Sequence, residues 1–425
     1  MWSLFSELRV RQASVFWSAL TIVGLFGATW IRILPSIGMA GLFLTAVGYA
    51  LYHRRIAQRK HWPELLSFVL IYVVHATTGL MHASVYDKIL QQDLLLELPF
   101  VLLPVAFLLL PDWLAQHKQL LWLLLISCCV LAALGATINF ALHATEITQL
   151  YLQSKVMPTE PDHIRFSLLV SMAVLAGVLL LSESRLTHFG RLTLGIAVLF
   201  LFLFQHLLAV RSGIVTMYAA GLMWLGWMGW QLRSWQTAFV GGALMVALGG
   251  ACILLFPTLQ NKIINTRTDT GQINSVQAAN NFSVTARVYS YQVAWTIVRE
   301  HPILGVSKVK LQQAMAEQYS YSFPEIAPSR YVLPHNQFIY NLAAYGIIGL
   351  SLFILGFYYP LLTAIRKQNI LEIIIYLIVS ISFIVEYTLE SNIGVIVGLF
   401  FILLASTATH SEEVSKGGIA EGNVV

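Results

Sequence analysis

The stretch YVLPHNQFIYNLAAYGIIGL, residues 331–350, decides how this chain is organised. Pro334-His335-Asn336 run without a break into an apolar helix, closing a polar segment (257–334) in a chain that is otherwise almost continuously hydrophobic. An imidazole at the point where a long loop re-enters a bilayer is costly unless it is paired. His335 is therefore a functional candidate before anything else is known.

Outward from that stretch, composition sets the class. Apolar residues make up 57% of the 425 and charged residues 11%, with a mean hydropathy of +0.73, whereas soluble domains carry about 25% charged residues. Apolar windows of roughly 20 residues recur, each long enough to cross about 30 Å of hydrocarbon as a helix. The expectation is an all-α polytopic membrane protein with twelve spans, at 14–31, 36–52, 64–82, 97–111, 119–142, 165–183, 192–210, 212–230, 236–256, 335–357, 370–386 and 392–408. Spans one to nine fill residues 1–256, a large loop fills 257–334, and spans ten to twelve fill 335–408. The polar tail 409–425 is expected to be disordered. The fourth span is short, and Pro99 and Pro104 are expected to kink it.

The net charge of +5 does not imply nucleic acid, because the basic residues sit in short loops. Cys128, Cys129 and Cys252 all lie inside hydrophobic segments and read as small apolar residues, not as a disulfide framework. Arg9 and Arg11 precede a first span without a small-residue cleavage pattern, so that span is expected to be retained. With the N-terminus inside, thirteen Lys and Arg fall in inside segments, Arg54, Arg55, Arg59 and Lys60 among them. Five fall in short outside segments: Arg32, Lys88, Lys155, Arg165 and Arg211. The positive-inside rule then places both termini inside and the long loop outside, with Trp224, Trp227, Trp230 and Trp235 as an aromatic belt at the inner boundary.

Val288, Tyr291, Trp295 and Val298 recur at helical spacing in the loop, as do Leu311, Met315 and Tyr319, which predicts two or three amphipathic helices roofing a cavity. His301-Pro302 ends the first of them and Gly305 supplies a turn. Residues 261–282 lack apolar periodicity and read as mobile.

Basic residues placed outside at helix starts are the informative ones. Arg211 opens the eighth span and Arg287 begins the first loop helix. A cation at the positive end of a helix calls for an anion to offset it. Two such arginines with backbone N–H groups suit a phosphate or diphosphate, although snorkelling to headgroups or pairing with Glu386 or Glu390 would also accommodate them. Arg165, beside Asp162 and His163, is a candidate third phosphate contact. His335 can take a proton from a sugar hydroxyl or, protonated, add positive charge; bonding to a backbone carbonyl is its bland alternative. Asn336 can orient that imidazole or cap the helix. Glu386 and Glu390, four apart, are expected to share one helix face, to hold the arginines or to supply a base. His206 and His75 read more simply as core histidines. Glu160-x-Asp162 is a weak carboxylate pair for a metal, and nucleotide, zinc and nucleophile-elbow motifs are absent from the sequence.

Taken together these pieces resemble the bacterial O-antigen ligase and O-antigen polymerase superfamily. The matching motifs are Arg211-Ser212-Gly213, Ala286-Arg287 leading to His301-Pro302-Ile303-Leu304-Gly305-Val306, and Pro334-His335-Asn336 followed by Tyr345-Gly346-Ile347-Ile348-Gly349-Leu350. The resemblance covers roughly residues 190–400. Where the family has a second glycine after Gly-Val this chain has Ser307, a departure expected to matter little for chemistry. Arginine-x10-glycine repeats of the polymerase kind are absent and only one large loop is present, and O-linked oligosaccharyltransferases tend to be longer. The chain looks most like the lipopolysaccharide O-antigen ligase.

That resemblance implies a glycosyltransferase-C-like fold with the large loop in the periplasm of a bacterial inner membrane. Its donor would be an undecaprenyl-diphosphate-linked O-antigen and its acceptor a sugar hydroxyl of lipid A–core, both held among membrane lipids. Arg211 and Arg287 would stabilise the leaving diphosphate, with Arg165, Asn336, Glu386 and Glu390 as further contacts to diphosphate or sugar. His335 would act as base or as positioner of the acceptor. Neither cofactor nor metal is called for, because arginines stand in for the divalent ion. Polymerase and oligosaccharyltransferase activities remain alternatives within the superfamily, and a polysaccharide or lipid transporter remains one outside it. A transporter would more often show midplane ionisable groups and an internal repeat.

Overall fold

A computed structural model of the full chain describes residues 6–27, 30–53, 62–152, 155–182 and 186–407. The basic run Arg54 to Lys60, Arg185 and the polar tail from Thr409 lie outside the described residues. Among those described, the ordered elements are all helical. Eight helices have both the length and the apolar composition to cross a membrane, and Ile370–Val385 and Asn392–Ser406 are shorter apolar helices. Glu7–Phe26 and Arg211–Gln231 have the length but are less apolar. This is an all-α polytopic membrane protein.

The centre of the bundle is His163–Ser182, buried nearly all round. It packs against Ala115–Leu142, His188–Leu208, Arg211–Gln231 and Ile370–Val385. Such enclosure suits a helix that is apolar on every face. Trp235–Leu255 is equally apolar but buries only Cys252; Phe239 and Leu254 project outward, as side chains facing lipid do. Small residues bring the central helices close. A Cβ on Gly213 would lie 2.4 Å from that of Ser167, and the Ser171 hydroxyl donates to the Gly213 carbonyl at 3.0 Å. The glycine of Arg211-Ser212-Gly213 is thus a packing device that seats Arg211 against the central helix.

The fourth span is interrupted at Pro99 within Lys88–Leu109. Leu98, which keeps helical φ −53° and ψ −33°, alone separates Lys88–Glu97 from Pro99–Leu109, and Pro104 stays inside the second helix. Proline at a first helical turn forfeits only an N–H that has no intrahelical partner, so the interruption falls at Pro99.

The loop holds three α-helices, Pro257–Thr270, Ser283–Glu300 and Lys308–Ser322, with a short 3-10 turn at Val276–Asn280. Residues 261–282, expected to be mobile, are therefore largely helical. Polar ties do there what apolar periodicity does elsewhere. Asp269 is buried and accepts from Val284 N (2.8 Å), Thr285 N (3.0 Å) and the Thr285 hydroxyl (2.9 Å). Thr258 donates to the Leu207 carbonyl at 2.8 Å and Asn265 to the Tyr151 carbonyl.

The loop is fastened to the bundle by an interlock of two glycines. The long helix Gln337–Lys367 is kinked at Gly346, which has φ +62°. The turn after Pro302 enters that kink with Gly305 at φ +65°. A Cβ on Gly305 would strike the backbone of Ala344 and Tyr345, and one on Gly346 the backbone of Ile303 and Leu304. Backbone groups freed by the kink are satisfied across the joint. Val306 N donates to Ala343 O (3.1 Å), Ser307 N to Ala344 O (2.7 Å) and Ile347 N to Pro302 O (2.9 Å). Only glycine reaches that conformation without steric cost.

Candidate active site

The polar groups converge where the loop meets the bundle. His335 lies just before the long helix, whose N-cap is Asn336. The Asn336 side-chain oxygen accepts from Phe338 N (2.9 Å) and Ile339 N (3.0 Å). Its amide donates to the Ile384 carbonyl at 3.1 Å. Of the two roles weighed for Asn336, capping is the one present; it also ties the start of this helix to the end of Ile370–Val385.

His335 is held from two sides. Its carbonyl accepts from the Tyr291 hydroxyl at 2.8 Å. Its ring Nδ1 lies 3.0 and 3.1 Å from the two Glu386 carboxylate oxygens. A carboxylate can only accept, so Nδ1 carries the proton in the neutral ring and Nε2 presents a lone pair. The side chain is 21% exposed, enough for Nε2 to meet a substrate.

Glu386 is not on a helix. It is the C-cap of Ile370–Val385, with extended backbone (φ −155°), and Glu390 follows in a 3-10 turn. The expected shared helix face is absent, because the helix ends before either residue, and the two carboxylates serve different neighbours. Burial works to raise the Glu386 pKa. The hydrogen bond from His335, with the charges of His335, Arg287 and Arg165, outweighs it and holds the group below its ordinary value.

Around this pair positive charge accumulates. Arg287 Nη2 is 4.0 Å from Glu386, in the second turn of Ser283–Glu300 and not at its start as expected. Arg211 is the first residue of its helix, as expected. Arg165 makes its nearest ion pair with Asp162 at 3.1 Å, yet its charge also bears on Glu386 and Tyr387. A fourth cation went unread in the sequence. Lys262, on Pro257–Thr270, lies within electrostatic reach of both Arg211 and Arg287. Burial foremost, then those two arginines, push its pKa down to about 8 against the opposing pull of Asp269. Among the described residues neither Arg211 nor Lys262 makes an ion pair, and the carboxylate whose charge bears on both, Asp269, is committed to capping a helix. A lone lysine in a stretch without periodicity offers no signal that could have marked it.

Glu390 belongs to a second constellation. Its Oε1 accepts from Gln337 Nε2 at 2.9 Å and its Oε2 lies 2.6 Å from Lys308 Nζ. The same ammonium is 3.1 Å from Glu97 and pairs with Asp93. His75 completes the group, 3.5 Å from Asp93 and 2.9 Å from the Tyr345 hydroxyl. His75 is thus more than a core histidine, whereas His206 is satisfied by the Phe202 carbonyl (2.8 Å) and the Tyr218 hydroxyl (3.0 Å). His75, Glu97 and Glu390 present ligand atoms within 4.8 Å of one another, but the Lys308 ammonium already lies against two of them as the compensating cation. Asp162, of the carboxylate pair considered for a metal, is engaged with Ile164 N (3.1 Å) and Arg165.

An oriented imidazole beside a cluster of under-compensated cations, at the end of a membrane bundle, can bind a phosphorylated lipid and accept a proton beside it. Residues 196–354 match the family model described as O-Antigen ligase. That match, over the middle of the chain, supports a likeness to the O-antigen ligase superfamily. No curated protein matches the chain. The O-antigen ligase match takes in Arg211, Lys262, Arg287, His335 and the Gly305–Gly346 interlock, and it ends before Glu386 and Glu390.

Proposed function

We propose that this protein is a lipopolysaccharide O-antigen ligase. It transfers O-antigen polysaccharide from undecaprenyl diphosphate to a sugar hydroxyl of lipid A–core. The observation that carries the reading is the cation cluster Arg211, Lys262 and Arg287 beside a His335 whose Nε2 is left free by Glu386. In the reaction Nε2 accepts the proton of the acceptor hydroxyl. The acceptor oxygen bonds to the anomeric carbon, the bond from that carbon to the diphosphate oxygen breaks, and the configuration inverts. Charge developing on the leaving diphosphate meets fixed cations in a partly desolvated site, an effect worth about 3 kcal/mol per donor in comparable sites. These cations take the part of a divalent ion.

The site belongs on the periplasmic face of the inner membrane, with both termini cytoplasmic, where two lipid-anchored substrates can meet. The second charged constellation does not favour a transporter: Lys308, from a loop helix, reaches it, so it sits at the loop end of the bundle instead of marking a path across it.

Purified protein given a polyprenyl-diphosphate glycan and rough lipopolysaccharide is expected to make ligated product in EDTA. Arg211→Ala, Arg287→Ala and His335→Ala are each expected to lose most of it while remaining folded. Full activity of His335→Ala would overturn the base assignment, and product formed only on a polyprenyl-linked acceptor would make the protein a polymerase.

A further inference from the structure

The Ser283–Glu300 helix has a third face besides its buried one and the edge that carries Arg287. Tyr291, Gln292, Trp295 and Arg299 recur along it at helical spacing and line an open groove of about 550 Å³, closed by Phe323 and Ile339. Trp295 is 46% exposed, and Arg299 is exposed with no ion pair among the described residues.

We infer that this groove binds the sugar chain of the acceptor, an anionic oligosaccharide carried on a lipid. The inference rests on the ligase reading and extends it to the second substrate. Aromatic faces with an amide and a guanidinium suit pyranose rings, which present apolar C–H faces and hydroxyl edges. Arg299 at the far end supplies a counter-charge for a phosphate or carboxylate substituent.

The groove also runs into the site. Tyr291 lines it and holds the His335 carbonyl at 2.8 Å, while Ile339 lies in the helical turn that Asn336 caps. Its position relative to the phosphate site argues for acceptor over donor. Successive residues on a helix point about 100° apart, so the groove face lies about a quarter-turn round from Arg287, with Tyr291 beside His335 between the two. An inverting displacement needs the nucleophile and the leaving group on opposite sides of the anomeric carbon. The groove opens beside His335, the base assigned to the acceptor hydroxyl, and Arg287 holds the diphosphate from a different face, so the two substrates approach from different directions.

The test varies one substrate at a time with wild type, Trp295→Ala and Arg299→Gln, both at exposed positions. With donor saturating, the KM for rough lipopolysaccharide should rise about tenfold in Trp295→Ala, as loss of an aromatic anchor does, with kcat and donor KM within about twofold. Binding of delipidated core oligosaccharide, titrated without donor, should weaken in parallel. Unchanged acceptor KM and oligosaccharide binding in both variants would overturn the inference. So would a matching rise in donor KM, which would give the groove to the donor glycan. Failure of the wild type to transfer to any lipid-linked acceptor would instead sink the ligase reading, and the oligosaccharide titration would still test the groove.

Discussion

Glu386 meets the ring of His335 at 3.0 Å although the two are 51 residues apart in the chain. This contact fixes which imidazole nitrogen is free. A glutamine at position 386 can donate as well as accept, so Glu386→Gln allows the ring to flip its tautomer and lose the Nε2 lone pair. Transfer by Glu386→Gln is expected to fall about 10²-fold or more, within the range general-base catalysis supplies, with acceptor KM little changed. A rate near that of wild type would show that the carboxylate does not set the tautomer.

The same carboxylate gives a stability signature. Its folded pKa lies below the ordinary value, so its contribution is present above the unfolded pKa, about 4.3 for a glutamate, and is lost as pH falls through the lower folded value. The Tm difference between wild type and Glu386→Gln should be constant near neutral pH and shrink in acid below that point. A difference independent of pH would assign the loss to packing.

Lys262, with its pKa pushed down to about 8, should make anion binding pH-dependent. Below that value the ammonium adds to the charge of Arg211 and Arg287, and above it the charge is lost. Pyrophosphate affinity, titrated by calorimetry, should drop as pH rises through about 8 and level off beyond about 9, the range in which such a group deprotonates. Lys262→Arg should abolish the drop, and Lys262→Met should bind weakly at every pH. A pH dependence that survives in Lys262→Arg would place the titrating group elsewhere.

The all-helical membrane class, the loop helices around Tyr291 and Met315, and the place of Arg211 at a helix start were legible in the sequence because each rests on a local pattern. The first loop helix nevertheless buries Tyr289, Val293, Ala294 and Ile297 and leaves Trp295 exposed. What stayed hidden depends on partners far along the chain. Lys308 answers Glu97 across 211 residues, and no local pattern links them. Gly346 reads like any glycine of a membrane helix until the turn at Gly305 fills its kink. Pro257–Thr270 escaped notice because it buries little beyond Thr258, Leu259 and Asp269 and is held by hydrogen bonds that leave no periodicity.

Lys308 should be the costliest charge to remove. Lys308→Met leaves Asp93, Glu97 and Glu390 together in a buried site without their ammonium, and removing one partner of a buried pair typically costs about 3–5 kcal/mol. A large fall in Tm is expected, partly recovered by adding Glu97→Gln. Because His75, Glu97 and Glu390 already converge, the single variant should also gain Tm on addition of manganese or zinc, which wild type should not. Equal responses from both proteins would mean that the ammonium does not occupy a cation position.

Ser307 offers the opposite change. It stands where the resemblance leads a second glycine to be expected, and the structure gives that departure a backbone consequence. Its φ is +66° with ψ 146°, a region that L residues enter at a cost of roughly 1–3 kcal/mol. Its hydroxyl is buried without a hydrogen-bond partner, so the side chain returns nothing for the strain. The conformation is imposed by the joint, since Ser307 N donates to the Ala344 carbonyl at 2.7 Å. Ser307→Gly is therefore expected to raise Tm by an amount corresponding to about 1–2 kcal/mol, with transfer activity retained. Gly305→Ala and Gly346→Ala should lower Tm, because each would set a Cβ against backbone with nowhere to move. A Ser307→Gly variant no more stable than wild type would mean that the serine hydroxyl makes a compensating bond.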